Sequence, residues 1–274
     1  MIPAGAAAAI TCAALALAAW TNHRLFGWLP DDLPGPARKG HLRPIPLAGI
    51  VVVAVVIPWL VEAREWWALG GFAVASAVGF VDDWRKEKGQ GLDWRWKTIA
   101  LAFAAASGAI AVDWPSPDPL TWVVLGAFLW ALTNATNFLD NTDGAAASVA
   151  AASLLILSGG EGWLAAAGFA AVGFLPWNWP RPRLFLGDAG AYALGLATGI
   201  AAARGARVDY GWLWAVAVQL MDFVQVLVAR VAIGVPPWVG DRRHLTHIAQ
   251  NLGMPRVLVA PCFAALVVGL AYLR

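Results

Sequence analysis

Apolar residues fill this chain in long runs, and polar residues are confined to short breaks between them. Ten runs can be drawn as helical spans, at about 3–26, 45–61, 66–81, 97–112, 119–137, 144–158, 162–176, 189–203, 210–233 and 256–273. Several are shorter than the ~20 residues a helix needs to cross a bilayer core, so their borders are free to move by a few residues. No Ser- or Gly-rich linker separates the runs, and no internal repeat stands out. The pattern predicts an all-α polytopic membrane protein of about ten transmembrane helices, built as one domain over residues 1–274. The first run lacks a basic leader, which favours a first span over a signal peptide.

The breaks are unequal. Every second one is rich in acids, bases, Asn and Gly: Arg38–Gly49 (RKGHLRPIPLAG), the stretch opening at Asp82-Asp83 and running through Lys88, Asp93 and Lys97, Asn134–Gly144 (NATNFLDNTDG), Asn178–Gly190 (NWPRPRLFLGDAG) and Asp241–His247 (DRRHLTH). The others are short and plain. Of the 19 basic residues, only Arg64, Arg204, Arg207 and Arg274 fall on the plain side. Cytoplasmic loops carry the excess of Lys and Arg, so both termini are expected outside and all five polar clusters at the inner face of the membrane. Trp28, Trp66, Trp67, Trp114, Trp163, Trp177, Trp179 and Trp212 lie near the span ends, as an interfacial belt requires.

Composition agrees with the pattern. The chain is 60% hydrophobic and 13% charged, against roughly 25% charged residues in soluble domains. A net charge of +2 gives no reason to expect nucleic acid. Cys12 and Cys262 lie in separate apolar runs and read as buried thiols, without disulfide or zinc spacing.

The chemistry of the clusters leaves alternatives open one at a time. Asp140 and Asp143 are spaced to share a face of a helix end. With Asn134, Asn137 and Asn141 they either turn and cap a loop or line a wet cavity, because unpaired buried charge is costly. Asp82 and Asp83 are neighbours that could reach a site from a helix terminus, where repulsion raises one pKa and suits a general base or metal site. Pairing with Arg85 and Lys86 would make them an ordinary solvated helix end. Asp188 opens an apolar helix and is either its N-cap or, at a helix start that attracts phosphate, a hard oxygen ligand for Mg²⁺. His244 and His247 have no third ligand for zinc nearby, and beside Arg242 and Arg243 they read as an anion site. Asp222 lies mid-span, at roughly 2.5–3.5 kcal/mol of insertion penalty. Gln219 and Gln225 flank it, and it reads as a structural hydrogen-bond node. Carboxylates and bases gathered at an inner interface point to a phosphorylated substrate meeting a lipid.

In this order the five motifs make a specific pattern. The chain resembles the polyprenyl-phosphate N-acetylhexosamine-1-phosphate transferases, polytopic phosphoglycosyltransferases that include the GlcNAc-1-phosphate and phospho-MurNAc-pentapeptide enzymes. The resemblance implies that a polyprenyl phosphate attacks the β-phosphate of a UDP-sugar at the cytoplasmic face, releasing UMP, with Mg²⁺ as cofactor and Mn²⁺ as an alternative. It implies Asp188 as metal ligand and Asp82 or Asp83 as base or organiser of the lipid phosphate, with Asp140 and His244 also catalytic. Phe185 matches the aromatic residue that stacks on uracil. Asn137, Asp143 and Asn178 match the nucleoside pocket, and Lys39, His41, Arg242, Arg243 and His247 the anion-binding groups. The expected setting is the plasma (inner) membrane, in a step of cell-envelope glycan synthesis. UDP-sugar and polyprenyl phosphate are the partners, no nucleic acid is involved, and a homodimer is the assembly to test.

Three positions depart from the family pattern: Asn141 where Gly is common, Ala48 for the first of a Gly pair, and Thr246 for a His. The form Asp241-Arg-Arg-His244 favours a UDP-N-acetylhexosamine donor, with the UDP-MurNAc-pentapeptide as alternative. A polytopic transporter is the rival from another class, but it should show a repeat and polar groups near the midplane. An intramembrane prenyltransferase would need a different spacing of acids.

Overall fold

The apolar runs are helices. The computed structural model describes residues 2–34, 43–115, 118–160 and 162–273; the expected anion-binding residues Lys39 and His41 lie outside them. In order come α1 (Ala6–Thr21), prolonged by a π-helical turn (Asn22–Phe26), then β1 (Asp31–Asp32), β2 (Ile45–Pro46), α2 (Gly49–Glu62), α3 (Trp66–Glu87), α4 (Trp94–Val112), α5 (Pro119–Leu139), α6 (Ala145–Ser158), α7 (Gly162–Asn178) and α8 (Gly187–Ala206). A 3-10 segment (Tyr210–Val216) leads into α9 (Ala217–Ala232), followed by a short α10 (Leu245–Asn251) and α11 (Arg256–Ala271). The strands pair antiparallel, Asp31 opposite Pro46.

Local signals set several helix starts. Asp93 accepts the Arg95 N–H at 2.8 Å ahead of α4, and Asp118 accepts the Thr121 N–H at 2.7 Å ahead of α5, with Pro119 at the first helical position. The segments Ala6–Arg24, Pro119–Leu139 and Tyr210–Ala232 are long and apolar enough to cross a membrane. Gly49–Glu62, Ala145–Ser158 and Arg256–Ala271 are apolar but shorter.

Helix α8 forms the axis of the bundle, with residues 189–203 buried throughout. It packs against α2, α3, α4, α5, α6 and α7. Such crowding needs small side chains, because lipid-soluble helices associate through close backbone approach. A Cβ on Gly49 would fall 2.1 Å from the Leu186 carbonyl oxygen, and one on Gly79 would fall 2.5 Å from the Ala189 nitrogen.

The bundle has two different ends. At one, Arg204 pairs with Glu65 at 2.8 Å and caps α4 through the Ala111 carbonyl. At the other gather the β pair, the end of α3, the α5–α6 turn, the start of α8 and α10. The polar clusters among the described residues therefore share one end. Three local expectations change. Helix α3 runs to Glu87, so Asp82 and Asp83 sit inside its last turns, not at a terminus. Trp163 is buried in the core, not at an interface. Cys262 is exposed and Cys12 only partly buried.

Candidate active site

Close contact between α3 and α8 at Gly79 brings Asp83 to the first turn of α8. Its carboxylate accepts the backbone N–H groups of Asp188 at 3.2 Å and Ala189 at 3.3 Å. Asp83 thus caps α8 from a neighbouring helix, satisfying donors that a helix start leaves free. Asp188 is not the N-cap, a position held by Leu186.

Freed from capping, the Asp188 side chain is held from two other helices, α3 and α5, and from one turn further along α8 itself. Lys86 donates to Oδ2 at 2.9 Å, Asn137 to Oδ1 at 2.9 Å and Tyr192 to Oδ2 at 3.3 Å. Lys86 also meets Asp82 at 2.7 Å. Asp82 is fully buried and saturated: Lys97 reaches it at 3.0 Å and the Leu92 N–H at 2.6 Å, tying α3 to the start of α4. The two adjacent aspartates therefore have separate tasks.

The carboxylates repel one another around one ammonium group. Burial, then the charge of Asp188, pushes the Asp83 carboxyl well above its usual range, although Lys86 and the two N–H groups oppose this. Burial and Asp188 likewise push Asp140 up to about 7. Burial acts the same way on Asp188, but Lys86 and further donors outweigh it and hold Asp188 below the carboxylate range. Lys86 is held protonated by Asp188, Asp82 and Asp83 against its own desolvation.

These groups border a cavity of about 640 Å³. Of the expected site residues, Asp83, Asp140, Asp143, Asn178, Phe185, Asp188, Arg242 and His247 line it. Asp140 and Asp143 stand on the turn between α5 and α6, not on one helix face. Asn178 clasps that turn, accepting the Gly144 N–H at 2.6 Å and donating to the Leu184 carbonyl at 3.0 Å. Phe185 is fixed by its backbone, which donates to Pro46 at 2.9 Å and accepts from Ala48 at 2.8 Å. Burial, then Arg242, lowers the pKa of His247.

Four expected residues stand behind the lining. Asn137 supports Asp188, Asp82 braces the lysines, and Arg243 folds back onto Asp241 at 2.8 Å. His244 is buried and pairs with Asp222 at 2.9 Å. Of the flanking glutamines, Gln219 turns to Ser153, donating to its hydroxyl at 3.0 Å. The cavity also takes Asp31, Asp32, Lys86, Glu87, Asn141, Thr142, Asp241, Gln250 and Arg256. Lys86, one turn after Asp82, carried a legible signal as an ion-pair partner. Arg256, which meets Asp143 at 2.9 Å, carried none.

Hard carboxylate oxygens in excess of positive charge suit Mg²⁺. Among the described residues no group of three or more His, Cys, Asp or Glu is arranged to enclose a metal. The donors fit an ion held by one or two carboxylates that draws its other oxygens from a bound phosphate, as Mg²⁺ commonly does. A second cavity, an apolar groove of about 660 Å³, runs between α4 and α5 from Thr98, beside Lys97, past Trp130 and Trp122 to Ile110.

Fold and site define a helical protein with segments apolar enough to cross a membrane, which gathers acids and cations around a cavity at one end. Residues 66–206 match the model of glycosyl transferase family 4. The chain is 32% identical over 193 residues to phospho-N-acetylmuramoyl-pentapeptide-transferase of Synechococcus sp. (strain CC9311), covering 59% of this chain and 52% of that protein. It is 30% identical over 235 residues to undecaprenyl-phosphate alpha-N-acetylglucosaminyl 1-phosphate transferase of Thermotoga maritima, covering 81% and 74%. To the pentapeptide-transferase of Synechococcus sp. (strain CC9605) it is 30% identical over 282 residues, covering 87% and 79%. The chain belongs to glycosyl transferase family 4 and is an enzyme of the transferase class.

Proposed function

We propose that this protein transfers an N-acetylhexosamine-1-phosphate from a UDP-sugar to a polyprenyl phosphate and releases UMP. The observation that carries this reading is the convergence of Asp83 and Asp188 on Lys86, with Asp140 near Asp188, in a cavity rimmed by Arg242, His247 and Arg256. An oxygen of the acceptor phosphate forms a bond to the β-phosphorus. The bond from that phosphorus to the bridging oxygen breaks, and UMP leaves with the electron pair. Two anions must approach, so charge neutralisation and alignment dominate the barrier.

Asp188, with Asp140 nearby, would hold Mg²⁺, which supplies Lewis-acid neutralisation of the diphosphate. Asp83 faces the cavity with a raised pKa and suits acceptance of the last acceptor-phosphate proton, whereas Asp82 is spent on Lys86, Lys97 and Leu92. Phe185 offers a face for uracil, and Arg242 and Arg256 meet phosphate. The α4–α5 groove, ending beside Lys97, suits the polyprenyl chain. In the membrane reading, α1 to α9 and α11 supply ten spans, and the cavity opens to the cytoplasm at the end rich in Lys and Arg.

Both donor types occur among the named relatives, so the assay must separate them. Purified protein with undecaprenyl phosphate and Mg²⁺ is expected to release UMP from UDP-GlcNAc or an epimer. Turnover of UDP-MurNAc-pentapeptide alone would transfer the assignment to that donor, and no UMP from any UDP-sugar would overturn the reading.

A further inference from the structure

Asp222 lies on α9, within the long apolar segment Tyr210–Ala232, and is 0% exposed. A carboxylate there requires partners, and both of its oxygens have one. Oδ2 faces His244 Nδ1 at 2.9 Å, and Oδ1 accepts the Leu245 N–H at 2.6 Å. A carboxylate only accepts, so the imidazole Nδ1–H donates. His244 is the N-cap residue of α10, and Leu245 is the first residue of that helix. One buried carboxylate therefore holds the entry of α10 by a side chain and by the backbone.

The preceding chain is held on the same helix. Arg230, also buried, reaches Asp241 at 3.1 Å and the Pro237 carbonyl at 2.5 Å. Arg230 and Asp222 are eight residues apart on α9, ~12 Å along the axis. Asp241 and His244 are three residues apart, ~10 Å when extended. Residues 241–244 thus run antiparallel along α9 on two rungs, returning to the level of a mid-helix aspartate. The His244 ring lies edge-on to Phe138 at 5.5 Å, and it does not line the cavity, whereas Arg242 and His247 on either side do.

We propose that Asp222 and His244 form a buried anchor that sets α10 in place, and that His244 is a positioning residue through which Arg242 and His247 face the substrate anion. This inference deepens the proposed function for its activity readout, but its structural readout stands without it. The experiment compares Asp222→Asn, His244→Ala, His244→Gln and His244→Asn in the purified full chain. Asn places an amide donor where His has Nδ1, and Gln places one where His has Nε2. Amide hydrogen exchange over residues 241–251 is expected to rise at least ten-fold in Asp222→Asn, His244→Ala and His244→Gln, with α8 unchanged. His244→Asn is expected to restore protection and to recover at least a tenth of the UMP release lost in His244→Ala. Where release is impaired, KM for UDP-GlcNAc rises together with the fall in kcat.

Unchanged exchange in both Asp222→Asn and His244→Ala would overturn the anchor. Protection regained in His244→Asn without recovery of UMP release would overturn the positioning role and assign chemistry to Nε2. Should Asp222→Asn fail to fold, the Asn and Gln variants of His244 alone decide between these outcomes. A wild-type protein that releases no UMP defeats the proposed function, while the exchange data still decide the anchor.

Discussion

At the scale of single residues, the site works by unequal treatment of similar groups. Asp188 keeps its charge because Lys86 and Lys97 outweigh its burial, while Asp83 and Asp140 are pushed towards the neutral form. Asp188→Asn removes that charge, so UMP release is expected to fall by about 10²-fold or more in saturating Mg²⁺. Phe185→Ala removes the face proposed for uracil; base–aromatic stacking is worth ~1–3 kcal/mol, so KM for the UDP-sugar is expected to rise about ten-fold with a smaller change in kcat. His247 supplies a pH signature. Its folded pKa is below the unfolded value near 6.5, so the unfolded chain binds the proton first as pH falls. Stability should therefore decline on acidification below about pH 6.5 and level off below the folded pKa. Melting of the wild type and His247→Gln between pH 8 and pH 5 checks this: the gap between the two curves should shift against the wild type as the pH drops.

Between elements, the decisive contact is α3 against α8. Gly79 has no room for a methyl group, since Ala189 nitrogen and Asp188 carbonyl carbon would both lie 2.5 Å from it. Gly79→Ala should move the start of α8 away from Asp83, uncap it and displace Asp188. The expected loss is about 1–3 kcal/mol of stability, typical of overpacking, with activity down more than ten-fold. Gly269→Ala on α11 is the control. A Cβ there meets nothing within 4 Å, so activity should hold and stability stay level or rise by up to ~1 kcal/mol. Thermal melting with UMP release on both variants tests the pair.

For the whole molecule, the two ends of the bundle carry the topology. Gln90 is exposed at the end that holds the cavity, and Val208, 86% exposed, stands at the end that holds the Arg204–Glu65 pair. In a background lacking Cys12 and Cys262, Val208→Cys should react with an impermeant thiol reagent in intact cells. Gln90→Cys should react only after the membrane is opened. The reverse pattern would overturn the proposed orientation and with it the proposed cytoplasmic opening of the cavity.

Much of the architecture was legible without coordinates because it depends on local properties. Apolar runs mark the helices to within a few residues; Asp93 and Asp118 mark helix starts through bonds to their own neighbours, and Pro119 through its fixed φ. The polar breaks share one end because consecutive helices reverse direction. The motifs also located most of the cavity lining, but not what each residue does there. That required partners distant in sequence: Asp83 meets Asp188 across 105 residues, Lys86 meets Asp188 across 102, and Arg256 meets Asp143 across 113. Spacing within a motif cannot tell a capping carboxylate from a ligand, nor a cavity-facing histidine from one locked to Asp222. Those roles follow from burial and from which charges lie within hydrogen-bond reach, and only the packing of α3, α5, α8, α9 and α10 determines both.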